Sequence, residues 1–230
     1  MDNKFRVPRV WSNRELQKFG NLFSGKVVNA SGWKDIDKEG KKYKDYFPNT
    51  SEYWITNYKS EARGFQGNQE NEILLDLERN LDEKMLEQFD VVFNHTVLEH
   101  TFNVNKAFEN LCKMSKDIVI VVVPFLQEQH AKHADYGDYW RFTPLAVEKL
   151  FQKNNMEMLY INYNDAINDS IYIFSIATKN IGKWNEIKNM GGNRIYDISN
   201  HMIGTKIIKN NLLSNFKSKI ISFFRTDLHK

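Results

Sequence analysis

The chain has 230 residues, 41% of them hydrophobic and 13% aromatic, enough for one substantial domain with a sizeable core and too much for wholesale disorder. A single cysteine, Cys112, excludes an internal disulfide framework and any multi-cysteine zinc site. Net charge is only +3 but unevenly spread, basic toward the C-terminus, which suits an anionic partner for the tail or a solvated basic helix.

In chain order, Ser12 followed by Glu15 in "SNRELQKFGNL" has the spacing of a capping box and predicts a helix opening at Ser12. "KVVNASG" at 26–32 reads as a short buried strand ending in small residues. A lysine-rich loop, "WKDIDKEGKKYKDYFPN", leads to a second strand, "EYWITNY", at 52–58. A long polar stretch precedes "EILLDL" at 72–77, a third strand, and a short helix over 82–88. "FDVVF" at 89–93 is apolar or β-branched apart from Asp90, as a strand buried on both faces of a parallel sheet requires. A helix through "NVNKAFENLCKM" carries Cys112 as a small buried residue.

"DIVIVVVPF" at 117–125 is the strongest strand signal in the chain. Thr143 and Pro144 supply an N-cap and a first-turn residue for a helix over "PLAVEKLFQKN". "MEMLYINY" and "SIYIFSIATK" are two late strands close together. The alternation predicts an α/β, Rossmann-like sheet, mostly parallel with an antiparallel edge strand and helices on both faces.

Three segments follow: an N-terminal helical segment over 1–24, the α/β domain over 25–179, and a basic extension over 180–230. Residues 179–230 hold ten Lys and Arg against three Asp and Glu, leaving 22 against 26 in the rest of the chain. Within the extension Ile208, Leu212, Phe216, Ile220 and Phe224 recur every four positions, the stripe of an amphipathic helix. Such a helix docks on the domain, forms a homodimer contact, or lies on a membrane surface through Lys206, Lys209, Lys217 and Lys219. The opening "MDNKFRVPRVWS" lacks the apolar core of a signal peptide, and the longest apolar run, "IVIVVVPFL", is too short to span a bilayer. The chain is expected to be soluble and cytoplasmic. Aromatic platforms interleaved with a basic groove are not evident, so no nucleic-acid partner is expected.

The strand at 89–93 runs into Asn94, His95, Glu99 and His100, where an open α/β sheet would build a site. Over about residues 25–178 the chain resembles the class I S-adenosylmethionine-dependent methyltransferases. The likeness lies in "FDVV" followed by "VLEH", then a strand ending "VPF", a His-containing loop and "DYWRFTP". It implies S-adenosyl-L-methionine as cofactor. Asn29, Ala30, Ser31 and Gly32 would approach its backbone closely, and Asn57 would grip the ribose. Asp76 with Leu77 would meet the adenine edge, and Asn94 and His95 would line the methionine portion. Two departures from the family pattern stand out: one glycine in place of a glycine-rich loop, and Asn57 in place of an acid. Either the cofactor is held differently or weakly, or the chain is a degenerate, non-catalytic binding protein. A nicotinamide enzyme is disfavoured because no G-x-G-x-x-G follows the first strand.

Asn57, Asp76 and Asn94 have a plainer reading as turn caps, Glu99 as a helix cap and His100 as structural. The loop "HAKHADYGDYWRFT" is the expected seat of chemistry. His130, His133 and Asp135 have a spacing that could ligate a metal, but the set is incomplete for any particular ion and none is assigned. A hydroxyl acceptor needs a base near neutral pH, and the candidates are His133, His130 and, third, His95. Asp135, Tyr136, Tyr139 and Arg141 are candidates for the substrate, with Trp140 packing and Arg141 either bracing the loop or binding an anion. The expected substrate is a small polar, anionic molecule, a sugar or phosphorylated glycan precursor.

Overall fold

The computed structural model describes residues 6–59, 64–129, 137–164 and 169–192. The described residues form a seven-stranded sheet in the order β3-β2-β1-β4-β5-β7-β6. The strands are β1 (Gly25–Ala30), β2 (Thr50–Asn57), β3 (Glu72–Leu74), β4 (Phe89–His95), β5 (Ser115–Leu126), β6 (Glu157–Tyr163) and β7 (Ile171–Thr178). β1 to β5 run parallel; β7 runs antiparallel to both β5 and β6. The expected antiparallel pairing is therefore present at that side, with the reversed strand inserted one place in from the edge. Inserting β7 there lets the short β6–β7 connection close as an antiparallel pair, whereas a parallel neighbour would need a long crossover.

Alternation along the strands builds two cores, one on each face. Ile118, Ile120 and Val122 of β5 join Val27, Val91 and Phe93 in one cluster, closed by Leu16 and Phe19 of helix α1 (Arg6–Phe19). Val119, Val121 and Val123 join Val28 and Val92 in the other, under Phe108 and Leu111 of α2 (Val104–Met114) and Val147 and Phe151 of α3 (Pro144–Lys153). Each such side chain removed from water contributes about 1.5–3 kcal/mol, which is why the all-apolar centre of β5 lies in the middle of the sheet. α3 begins as its residues predict: the Thr143 hydroxyl accepts from the Ala146 amide and Pro144 occupies the first turn. Cys112 is buried, and burial pushes its thiol up to about 12.

One expectation changes. α1 starts at Arg6, so Ser12 is not an N-cap; its hydroxyl meets the Arg9 carbonyl at 2.9 Å and His95 Nε2 at 2.8 Å. A polar partner across the sheet outcompetes the local capping geometry. The lysine-rich loop also turns its acids inward. Asp35 accepts from Tyr53 at 2.6 Å and Asp37 from Tyr46 at 2.7 Å, and burial raises the Asp35 carboxyl. Beyond β7, a short helix α4 (Asn185–Asn189) buries Ile187 against the α1-side core. The expected helix around 205–224 lies outside the described residues, as do His130, His133, Asp135 and Tyr136. No helix among the described residues is long and apolar enough to cross a membrane.

Candidate functional site

Because β1 to β4 are parallel, Gly32, Asn57, Asp76 and Asn94 all lie at or just beyond strand ends at one rim of the sheet. The β1–β2 half of that rim is stitched to itself. Asn29 donates to Asp35 at 2.8 Å, and the Ser31 and Gly32 amides donate to the Thr56 hydroxyl and carbonyl. A Cβ at Gly32 would sit 2.6 Å from Asn29 Nδ2, so the glycine is needed for this internal packing. Asn57 accepts from the Trp33 amide at 2.7 Å and donates to the Trp33 carbonyl and to Glu72. Ser31, Trp33 and Asp35 hold φ of 62°, 51° and 56°, a concentration of backbone strain worth about 1 kcal/mol or more at each. The Ala30 carbonyl accepts from Asn94 Nδ2 at 2.9 Å. Asp76 caps its own turn by accepting from the Glu78 amide and stands 3.6 Å from Arg79, while Leu77 is buried.

The β4–β7 half differs. His95 has both ring nitrogens engaged, Nε2 by Ser12 and Nδ1 by Thr96, and its ring lies among Tyr43, Phe93 and Tyr172. Burial, then the Arg9 charge, hold it well below the usual histidine range. It ties α1 to the sheet as a neutral imidazole. Thr96 has φ of 52°, a rare conformation for a β-branched residue, directly at this strand end.

Glu99 follows on a single 3-10 turn, Leu98–His100, and is 1% exposed. Its Oε2 has no hydrogen-bond partner, and Oε1 lies 3.8 Å from His100 Nε2. Burial pushes the carboxyl up to about 8, with the Arg9 charge pulling the other way. Arg9, one helical turn from Ser12, reaches this corner from α1. Burial opposes its charge, but Tyr172, Tyr43 and Glu99 more than offset that, and Tyr172 bonds to it. Its Nε is buried without a partner, as is Asn94 Oδ1. Burial also pushes the Tyr172 hydroxyl up to about 12.

The segment 138–142 is clamped over this turn: Tyr139 N donates to the Glu99 carbonyl at 2.7 Å and Trp140 Nε1 to the Thr101 carbonyl at 2.8 Å. Arg141 grips both oxygens of Asp138 and the carbonyls of Gln127, Glu128 and Trp140, engaging all five of its N–H donors. Tyr139 is exposed, its ring edge-to-face with Phe102 at 5.3 Å. Among the described residues no group of three or more His, Cys, Asp and Glu could hold a metal ion.

Arg9, Tyr43 and Tyr172 were not singled out in the sequence. The available signal was a charge on a buried stripe: Arg9, Ser12, Leu16 and Phe19 follow helical spacing, so the arginine points where the apolar residues point.

The unpartnered buried atoms, one donor on Arg9 and acceptors on Glu99 and Asn94, suit a zwitterion, whereas Asn29 and Asn57 are already committed.

No protein-family model and no curated protein matches this chain. Among solved structures it is similar to the magnesium protoporphyrin IX methyltransferase of Synechocystis PCC 6803 with bound SAM, at 13% identity, 77% coverage of this chain, 83% of that one, and a TM-score of 0.51. It is also similar to the 1,6-didemethyltoxoflavin-N1-methyltransferase of Burkholderia thailandensis, solved with its substrate and S-adenosylhomocysteine. There the identity is 14%, the coverage 76% and 83%, and the TM-score 0.51. At these identities the likeness is one of fold: the sheet is the Rossmann-like sheet of the methyltransferases.

Proposed function

We propose that the protein is an S-adenosyl-L-methionine-dependent methyltransferase acting on a small polar acceptor, a sugar or phosphorylated glycan precursor. The observation that supports this reading is the likeness of the fold, a mostly parallel seven-stranded sheet with β7 reversed between β5 and β6, to methyltransferases solved with that cofactor or its product. Asp76 would meet the adenine edge, Ala30 to Gly32 would run beneath the ribose, and Asn94 would line the methionine portion. When bound, the cofactor supplies a methyl group on a sulfonium. The protein's part is then to position an acceptor and exclude water, since the cation's charge disperses during transfer. The exposed Tyr139 would offer an aromatic face to a sugar ring, and His133 or His130, outside the described residues, would serve as base for a hydroxyl. His95, engaged at both nitrogens, is left to hold α1.

The second reading, a non-catalytic binding protein on the same fold, is favoured by one observation: the groups after β1 and β2 are bonded among themselves. Titration calorimetry with S-adenosylhomocysteine separates the two readings, since failure to bind favours the non-catalytic one. One-to-one binding is expected; no heat and no binding at any pH would end the methyltransferase proposal. With an acceptor in hand, His133→Ala should lower turnover about 100-fold or more while leaving cofactor affinity unchanged, and equal turnover removes His133 as base.

A further inference from the structure

The unusual feature of this rim is where its unsatisfied polar atoms lie. Nε of Arg9 and Oε2 of Glu99 are buried, bear on one another electrostatically, and bond to nothing, including each other. Buried polar atoms are nearly always paired, so an orphaned donor and an orphaned acceptor in one corner describe a missing ligand with one group of each kind. The donor belongs to a cation and the acceptor to a carboxyl, so the complementary ligand carries an anion and a cation a few bonds apart. An α-amino acid head is that pair.

We propose that Arg9 and Glu99 hold the α-amino-acid end of the cofactor, carboxylate on the Arg9 guanidinium and ammonium on the Glu99 carboxylate, and that this end dominates binding over the nucleoside end. The inference rests on the methyltransferase reading and deepens it. Three observations support it. Asn57 and Asn29, expected to serve the ribose side, donate and accept within the protein. Arg141, read as bracing its loop or binding an anion, has every N–H engaged in bracing, which leaves Arg9 for an anion. α1 is fastened where Arg9 needs it, by Ser12 on His95 at 2.8 Å and by Glu15 accepting from the Tyr160 hydroxyl at 2.5 Å.

Binding should be linked to one proton. The groups facing Glu99 are Arg9 from α1, Tyr172 from β7, Asp138 and Arg141 from the segment over it, and His100 on its own turn. A ligand ammonium on Oε2 favours the ionised carboxyl, so binding near neutral pH expels the proton that burial otherwise keeps there. Affinity should weaken by up to tenfold per pH unit below about 8.

The test compares two ligands on the intact chain by calorimetry. S-adenosylhomocysteine has the amino-acid end; 5′-methylthioadenosine has the same nucleoside and thioether without it. The first should bind about 100-fold more tightly, the weight of two charge-assisted bonds. Arg9→Gln should remove most of that ratio and leave 5′-methylthioadenosine unchanged. Glu99→Gln should abolish the pH dependence and the proton release, read from titrations in buffers of different ionisation enthalpy. Equal binding of the two ligands by the wild-type chain would overturn the inference while leaving the cofactor reading intact. Binding of neither would overturn both, and because that comparison needs no variant, a variant that fails to fold does not rescue the proposal.

Discussion

The two halves of the rim are built from similar polar residues and behave in opposite ways. After β1 and β2, Asn29, Asn57, Asp35 and Thr56 find partners within the same loops, and the chain holds left-handed conformations at Ser31, Trp33 and Asp35 to do so. After β4, beneath α1, Glu99 and Asn94 are buried, and they and the half-buried Arg9 each have a buried atom left over. The lesson is that polarity at a strand end does not by itself make a binding site; unsatisfied polarity does. The first half is a folded lid on its own strand, and the second stores the free energy that a ligand can recover.

The largest effect should come from disturbing the second half with pH. Glu99 titrates at about 8 when folded against an ordinary 4.5, so between those values the folded state binds the extra proton. Stability must therefore fall as pH rises from about 4.5 to 8 and level off above, by at most about 5 kcal/mol. Glu99→Gln should flatten that slope in urea titrations from pH 5 to 9; an unchanged slope would mean that Glu99 is not the buried proton carrier.

Next in size, Asn57→Asp restores the acid that the family resemblance leads one to expect, yet sets a carboxylate against Glu72, now 2.6 Å from Asn57 Nδ2. The substitution should destabilise the fold by about 2–3 kcal/mol rather than improve nucleoside binding. Tighter binding of S-adenosylhomocysteine in this variant would show that the first half is not closed after all. The smallest effect is expected from Ser12→Ala, which leaves His95 Nε2 without its partner and loosens α1. About 1–2 kcal/mol of stability should be lost. Because α1 carries Arg9, affinity for S-adenosylhomocysteine should fall with it; calorimetry showing full affinity would separate the helix from the site.

Much of the fold was legible because its signals are local. "DIVIVVVPF" and "FDVVF" can hardly be anything but buried strands, and Thr143 with Pro144 announces a helix in two residues. The resemblance in "FDVV", "VLEH" and "DYWRFTP" likewise agrees with the fold, a mostly parallel sheet similar to those of methyltransferases. The site was less legible. Ser12 and Glu15 looked like a capping box because that motif is itself local, but their partners, His95 and Tyr160, lie 83 and 145 residues away. Arg141 read equally as bracing its loop or binding an anion until Asp138 and three carbonyls were seen to enclose it.

What the amino-acid sequence alone determined here was periodicity: which side chains alternate across a strand, which repeat around a helix, and hence a layered α/β sheet with two apolar faces. Only the tertiary structure decided which polar side chains are satisfied. Burial of apolar surface is non-directional and depends on pattern, so neighbours in the chain suffice to predict it. A hydrogen bond needs one particular partner at one distance and angle, and at this rim those partners come from α1, β4 and β7, which only folding brings together.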